Sequence, residues 1–219
     1  MSSAAPILPV FAINRHRLTT DGNGVSTLVG AYGCPLNCRY CINPHAWAPD
    51  TLKKCISLTP EDLYERVKID DLYFLATGGG VTFGGGEALL HTEFIRAFRH
   101  ICGPDWTLSV ETSLNVPRRQ LERALDVVDD YIIDIKDLDP VIYESYTGMP
   151  ISRALSNLQF LSEQLSASSQ KRRPDHVRIR VPLIPSYNSP EHLKKSVENL
   201  RSMGFSDIET FSYVLREQC

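Results

Sequence analysis

Short runs of β-branched and apolar residues alternate along this chain with longer stretches patterned for helix, and that alternation restricts the fold most. The strand-like runs fall at residues 25–30, 80–83, 107–111, 131–135, 177–182 and 207–213. Helix-like stretches lie between them, at 60–76, 91–102, 117–128, 151–166 and 190–203. Pro60 and Pro190 each follow a small polar residue, Thr59 and Ser189, the order in which helices commonly begin. Gly204 after Met203 reads as a helix stop. Alternation of this kind implies parallel strands joined by right-handed crossovers. Six such units fit an α/β fold, a partial (β/α)6 barrel of the TIM type, with reactive groups at the C-terminal ends of the strands. An open doubly wound sheet fits the same pattern, and the placement of the motifs favours the partial barrel. With 219 residues the chain reads as a single domain, 1–24 being an N-terminal extension and 25–214 the barrel core. Residues 166–174, SASSQKRRP, read as a polar, basic, exposed connection.

The first strand runs into GAYGCPLNCRYCINP, where Cys34, Cys38 and Cys41 are separated by three and two residues. Three thiolates can hold three irons of a 4Fe–4S cubane, whereas such clusters normally have four cysteine ligands. The missing ligand points to a coordination position kept for another molecule. A zinc knuckle and a redox pair are the alternatives. Zinc sites usually draw four ligands from two short-spaced pairs, and no second pair follows here. Cys55, Cys102 and Cys219 read as ordinary thiols. Half of the six cysteines crowd into eight residues and no signal peptide opens the chain, so a disulfide framework is not expected and a reducing cytoplasm is. A net charge of −3 gives no electrostatic case for nucleic acid or a membrane surface. No run approaches the ~20 apolar residues needed to span a bilayer.

The second strand ends in Gly84, Gly85, Gly86 and Glu87. Glycine there lets the backbone approach a ligand closely, although tight turns need glycine for their own sake. The third strand ends in Glu111, Thr112 and Ser113, and the fourth carries Asp134 and Lys136. In a barrel Glu111, Asp134 and Lys136 gather at the strand tops, the plain alternative for the last two being a local charge pair. VRIRVPLIP places Arg178 and Arg180 on one face of the fifth strand. Facing inward, a guanidinium there would bind a carboxylate or a peptide carbonyl; facing outward, it would meet water. His16, His45, His91, His100, His176 and His192 show no paired metal spacing and read as surface or capping residues, His45 in the cysteine loop being the exception. Trp47 reads as a lid over that loop. The NRHR stretch, residues 14–17, reads as a basic turn or a partner contact before the first strand.

Taken together, GCPLNCRYCINPHAW, VTFGGGEALLHTEF, the DGNG turn at 21–24, the Glu111–Thr112 pair, IIDIK and IRVPLIP make residues 11–213 resemble a known family. It is the glycyl radical enzyme activating enzymes of the radical SAM superfamily, the class related to the pyruvate formate-lyase activating enzyme. The resemblance implies the radical SAM fold and one 4Fe–4S cluster on Cys34, Cys38 and Cys41, whose open iron binds S-adenosylmethionine (SAM). Tyr40, the aromatic before the third cysteine, fits the superfamily pattern. The resemblance further implies SAM contacts from Gly85, Gly86 and Glu87 and near Lys136 and Arg180. A monovalent cation is implied at Glu111, Thr112 and Asp134, with Glu111 replacing the family's Asp. Flavodoxin or ferredoxin is implied as electron donor. The implied reaction is reductive cleavage of SAM to methionine and a 5′-deoxyadenosyl radical, which takes the Cα hydrogen of a glycine in a partner glycyl radical enzyme. Ala88 replaces the usual proline, Ser26 and Thr27 stand where an arginine is expected, and Val214 stands where a SAM-contacting histidine is expected. No ferredoxin insert follows Cys41, as in the short, single-cluster members. The competing readings are a radical SAM enzyme acting on a peptide or small metabolite, and a non-catalytic iron–sulfur protein.

Overall fold

The computed structural model describes residues 5–18, 22–166 and 176–214. Eight strands form one sheet: β1 (Leu8–Leu18), β2 (Val25–Ala31), β3 (Ile56–Leu58), β4 (Gly80–Gly85), β5 (Thr107–Thr112), β6 (Asp130–Asp134), β7 (His176–Leu183) and β8 (Asp207–Ser212). Their spatial order is β3-β1-β2-β4-β5-β6-β7-β8. From β2 through β4 to β8 all pairings are parallel, and these six strands are the ones legible in the sequence. Among the described residues the sheet ends at β3 and β8 and does not close, giving a partial (β/α)6 barrel.

Two antiparallel strands, β1 and β3, extend the sheet beyond β2 and were not expected. The NRHR stretch is therefore part of a strand, with Asn14 opposite Leu28 and Arg17 opposite Ser26. Its polar half is exposed, so it lacks the alternation that marks a half-buried strand. Arg15 Nε and Nη2 donate to the buried Asp70 carboxylate at 2.8 and 2.5 Å, joined by Thr27 Oγ1 at 3.1 Å and His16 Nε2 at 3.0 Å. The Arg15 hydrogen bond, with those from Thr27 and His16, holds Asp70 below the ordinary carboxylate range despite burial.

Helices α1 (Pro49–Leu52), α2 (Pro60–Val67), α3 (Asp71–Thr77), α4 (Thr92–Cys102), α5 (Arg118–Ala124), α6 (Pro140–Thr147), α7 (Ser152–Ser166) and α8 (Pro190–Ser202) fill the connections. The single helix expected over 60–76 breaks at a 3-10 turn, Lys68–Asp70, where the chain turns Asp70 inward. Thr59 and Ser189 start their helices through capping boxes, as their sequence context suggests. Helix α6 was missed, although Asp139 accepts from the amides of Val141 and Ile142 ahead of Pro140. The expected exposed connection at 166–174 lies outside the described residues beyond Ser166, which ends α7.

Period-two alternation gives the parallel strands two unlike faces. Val81, Phe83, Leu108, Val110, Tyr131, Ile133, Ile179 and Val181 are buried in the hydrophobic core. There the Phe83 ring meets Phe94 and Phe98 of α4 edge-on, at 6.3 and 5.7 Å. The opposite face is polar. Thr82, Ser109 and Asp130 stand in register in one row, and Asp134, Arg180 and Glu209 in another nearer the strand tops. At the bottom, Asn23 Nδ2 donates to Asp130 Oδ2 at 2.9 Å, tying the turn before β2 across the barrel.

Candidate active site

The cysteine segment leaves β2 and crosses the strand ends toward α6. Tyr32 N donates to Pro9 O at 2.8 Å and Gly33 N to Ala46 O at 2.6 Å. Further on, Asn37 N donates to Thr147 O at 2.9 Å and Arg39 N to Tyr146 O at 3.1 Å. Cys34, Cys38 and Cys41 are unpaired thiols of intermediate exposure on this bridge. Burial pushes Cys34 up to about 12 and Cys38 up to about 11, the second opposed by the positive charge of Lys136. Loading such thiols with metal must displace their protons. Among the described residues no group of three or more His, Cys, Asp or Glu side chains closes on a point suited to one ion. Three thiolates on one short bridge are a donor set for three corners of a 4Fe–4S cubane. Cys102 lies at the C-terminal end of α4, its thiol against Arg99 O, and Cys55 lies between α1 and β3. Cys219 is outside the described residues.

The glycine turn is bonded directly to that bridge. Gly86 N donates to Ala31 O at 3.1 Å, Glu87 N to Gly33 O at 2.8 Å, and Asn43 Nδ2 to Gly85 O at 3.3 Å. A Cβ at Gly86 would lie 2.3 Å from Gly33 O, and one at Gly85, whose φ is +83°, would lie 2.7 Å from the Phe11 ring. Glycine is thus required here by close approach of protein to protein, a reason the sequence reading did not supply. His91 Nε2 stands 2.8 Å from Tyr32 O, and burial pulls its imidazole down, so the neutral ring donates through Nε2.

Glu87 is buried and fully engaged. Its Oε1 accepts from Thr112 Oγ1 at 2.6 Å and Leu89 N at 3.2 Å; its Oε2 accepts from Ser113 Oγ at 2.7 Å and Ser113 N at 2.9 Å. Burial pushes this carboxyl up, against those hydrogen bonds. The side chain therefore ties the end of β4 to the end of β5. Just beyond, Leu114 is buried with φ +57°, a left-handed conformation disfavoured for leucine. Asn157 Nδ2 holds it there, donating to Leu114 O and Val116 O at 2.8 and 2.9 Å.

On the polar face, Lys136 Nζ donates to Tyr213 Oη at 3.0 Å and lies 3.6 Å from Asp134. Burial lowers its pKa, but Asp134, Tyr213 and Cys38 together hold it well above the ordinary lysine value. Tyr40 packs edge-on against Tyr146 and Tyr187 at 6.1 and 5.8 Å, and Tyr146 reaches Tyr213 at 6.3 Å. Arg180 bridges Glu111 at 3.3 Å and Glu209 at 3.4 Å, while Arg178 and His176 both pair with Asp207, at 3.1 and 2.6 Å.

Residues 28–169, which include the cysteine bridge and the glycine turn, match the family model described as the Radical SAM superfamily. The chain belongs to the radical SAM superfamily. Members use a 4Fe–4S cluster and SAM. The (2S)-3-sulfopropanediol dehydratase activating enzyme of Klebsiella oxytoca is 27% identical over 240 residues, covering 82% of this chain and 73% of that one. The pyruvate formate-lyase 2-activating enzyme of Escherichia coli (strain K12) is 28% identical over 235 residues, covering 93% and 76%. In fold the chain is similar to SuiB of Streptococcus suis, with a TM-score of 0.61 at 12% identity, over 84% of this chain and 38% of that one.

Within this radical SAM barrel the residues singled out from sequence fall in three places. Tyr40, Cys34, Cys38 and Cys41 lie on the bridge; Gly85, Gly86 and Glu87 lie directly beneath it; Asp134, Lys136, Glu111 and Arg180 line the polar face. The residues named for a monovalent cation are each engaged with protein groups: Glu111 with Arg180, Thr112 Oγ1 with Glu87, and Asp134 near Lys136. His45 is exposed, and the histidine that meets the site is His91. Trp47 is 37% exposed, and its carbonyl accepts from Tyr32 Oη at 3.4 Å. Sequence reasoning missed Tyr213, Tyr146 and Ser113 because each acts on a partner distant in sequence: Tyr213 reaches Lys136, 77 positions away. No helix among the described residues is long and apolar enough to cross a membrane.

Proposed function

We propose that this chain is a glycyl radical enzyme activase: it cleaves SAM reductively and removes a hydrogen atom from a backbone glycine of a partner enzyme. In this reading Cys34, Cys38 and Cys41 hold the 4Fe–4S cluster, and the backbone at Gly85 and Gly86 with Lys136 receives the amino-acid end of SAM. When bound, cluster and SAM supply a one-electron carbon–sulfur cleavage whose carbon radical can take hydrogen from a C–H bond. The chain supplies placement. Lys136, charged and fixed by Asp134 and Tyr213, offers an ammonium to a carboxylate. Tyr40, Tyr146 and Tyr187 form an aromatic wall that excludes water beside the thiols. Glu87 acts as a positioning residue through Thr112 and Ser113. Arg180, oriented by Glu111 and Glu209, presents donors to the carbonyls of an incoming polypeptide loop. A glycine loop fits such a wall because it has no side chain to exclude.

The observation that carries this reading is the open sheet. Among the described residues β8 pairs with β7 alone, which leaves the polar face reachable from the side by a macromolecule. The similarity to activating enzymes supports it. The electron donor is read as flavodoxin or ferredoxin and the compartment as a reducing cytoplasm, in keeping with the unpaired thiols. The test is anaerobic EPR of the reconstituted protein with SAM, a reductant and a candidate glycyl radical enzyme carrying α-deuterated glycine. A glycyl doublet that collapses on deuteration, with 5′-deoxyadenosine formed in step, is expected. Arg180→Ala should cut partner activation by more than about tenfold, roughly one lost charge-assisted hydrogen bond, and spare SAM cleavage without partner. SAM cleavage with no glycyl signal, and the modification found on a peptide or metabolite, would refute the activase reading.

A further inference from the structure

The Tyr146 hydroxyl is buried and has no hydrogen-bond partner among the described residues. Buried polar groups are nearly always paired, and one left unpaired costs stability, so it calls for a reason outside the fold itself. The rest of the residue is accounted for. Its ring packs edge-on against Tyr187 at 5.1 Å and Tyr40 at 6.1 Å. Its backbone is pinned to the cysteine bridge on both sides of Cys38: Arg39 N donates to Tyr146 O at 3.1 Å, and Asn37 N to Thr147 O at 2.9 Å. Held in this way, the side chain is not free to turn toward another partner. Burial pushes the phenol up, with Tyr213 adding to the shift and Lys136 opposing it, so the hydroxyl keeps its proton.

Those two neighbours are themselves rich in donors. Lys136 spends one N–H on Tyr213 Oη, at 3.0 Å, and turns another toward Asp134 at 3.6 Å. Tyr213, accepting there, still has its own proton to place. Were it to turn that proton onto Tyr146 Oη, the Tyr146 proton would still lack an acceptor. The three side chains thus carry more protons than they have acceptors for. A carboxylate answers such a cluster best, with two oxygens to accept and a negative charge opposite the buried ammonium. We infer that Tyr146 is a ligand-binding residue whose hydroxyl, with Lys136 and Tyr213, holds the α-carboxylate of SAM. The inference rests on the reading that Lys136 and the glycine turn receive the amino-acid end of SAM. It gives Tyr146 a discriminating role, because a ligand lacking that carboxylate leaves the buried phenol unpaired.

The test compares wild type with Tyr146→Phe, which keeps the ring and its packing, as anaerobically reconstituted full-length proteins. Equilibrium dialysis measures the affinity of each for SAM and for decarboxylated SAM. The variant should bind SAM at least about tenfold more weakly, the loss of one hydrogen bond to a charged group. Decarboxylated SAM should bind both proteins equally. The metal-free, ligand-free variant should melt at or above the wild-type temperature, since the change removes a buried group that has no partner. Equal affinity for SAM would overturn the inference. So would an equal loss for both ligands, which would mean that the carboxylate is not what the hydroxyl meets. A metal-free variant that melts below wild type would overturn it too, by showing the hydroxyl bonded within the protein. Cys38 also acts on this phenol, and hydrogen bonds to cluster sulfurs tune reduction potential. A midpoint potential that shifts in the variant without SAM, at unchanged SAM affinity, would therefore assign the hydroxyl to the Cys38 sulfur instead. Wild-type protein that assembles its cluster but binds no SAM would overturn the reading of the site, and this inference with it.

Discussion

Replacing Glu87 with glutamine tests whether this side chain is the fastener between two strand ends. The carboxylate accepts four hydrogen bonds, two on each oxygen, from Thr112, Leu89 and Ser113. A glutamine amide keeps one oxygen and turns an NH2 toward the other pair. The hydroxyl in that pair can rotate to accept, but the backbone N–H, of Leu89 or Ser113, cannot. One buried donor then faces another. Leaving it unsatisfied costs about 1–3 kcal/mol, and each lost bond to a charged group is worth about 1.5–3 kcal/mol, partly offset because a neutral amide is easier to bury. A net loss of about 3 kcal/mol follows, which for a chain of this size lowers Tm by about 6–12 °C. Ser113→Ala removes the hydroxyl's bond to Glu87 and the longer one it accepts from Asn115 N at 3.3 Å, and should cost about 1–2 kcal/mol. The assay is thermal unfolding of the reduced, metal-free protein under argon, followed by iron content after reconstitution. A Glu87→Gln protein melting within a degree of wild type would refute the fastening argument, whatever its activity.

Alanine at Cys34, Cys38 or Cys41 should abolish incorporation of the about four irons of one cluster, whereas alanine at Cys55 or Cys102 should not; iron and sulfide analysis decides. Gly86→Ala places a Cβ against the Gly33 carbonyl, so the bridge must shift, and cluster loading should fall before overall folding does, as near-normal circular dichroism with low iron content would reveal. Asp70 titrates below its unfolded value, so its stabilising contribution is full above about pH 3.9 and is lost as pH falls through the lower folded value. Arg15→Met should therefore be less stable near pH 6 but show a flatter decline below about pH 4; parallel urea-midpoint curves for the two proteins would contradict this.

The parallel strands and most helix starts were legible because burial there is regular. Runs such as residues 107–111 and 131–135 pack their apolar side against helices, and Thr59–Pro60 and Ser189–Pro190 carry their caps locally. What escaped notice depends on partners far along the chain. The second half of β1 is polar, and its place in the sheet is secured by Asp70, 55 positions away from Arg15. The helix break at Lys68–Asp70 has the same origin, since a continuous helical pattern gives way to bury one carboxylate. At the site the cysteines, the glycine turn and Lys136 were readable as motifs. Their supports were not: Thr112 stood out for a cation and not for Glu87, Ser113 looked like a strand end, and Leu114 carries no sign of its left-handed backbone. The close contacts of the glycines with Phe11 and Gly33 were not legible either, since both partners lie more than 50 positions away.

The two faces of the parallel strands divide labour in a way that bears on how such a protein diversifies. Large-to-small changes at outward positions such as Phe83, Val110 or Ile133 leave cavities and cost about 2–5 kcal/mol, most of what a domain has to spare. Inward positions such as Arg178 and Glu209 sit in partly exposed ion pairs, where a substitution costs about 1 kcal/mol or less. One strand thus carries alternating residues under strong and weak constraint. The polar wall can be rewritten residue by residue, while the scaffold behind it, and the bridge resting on the strand ends, keep their shape.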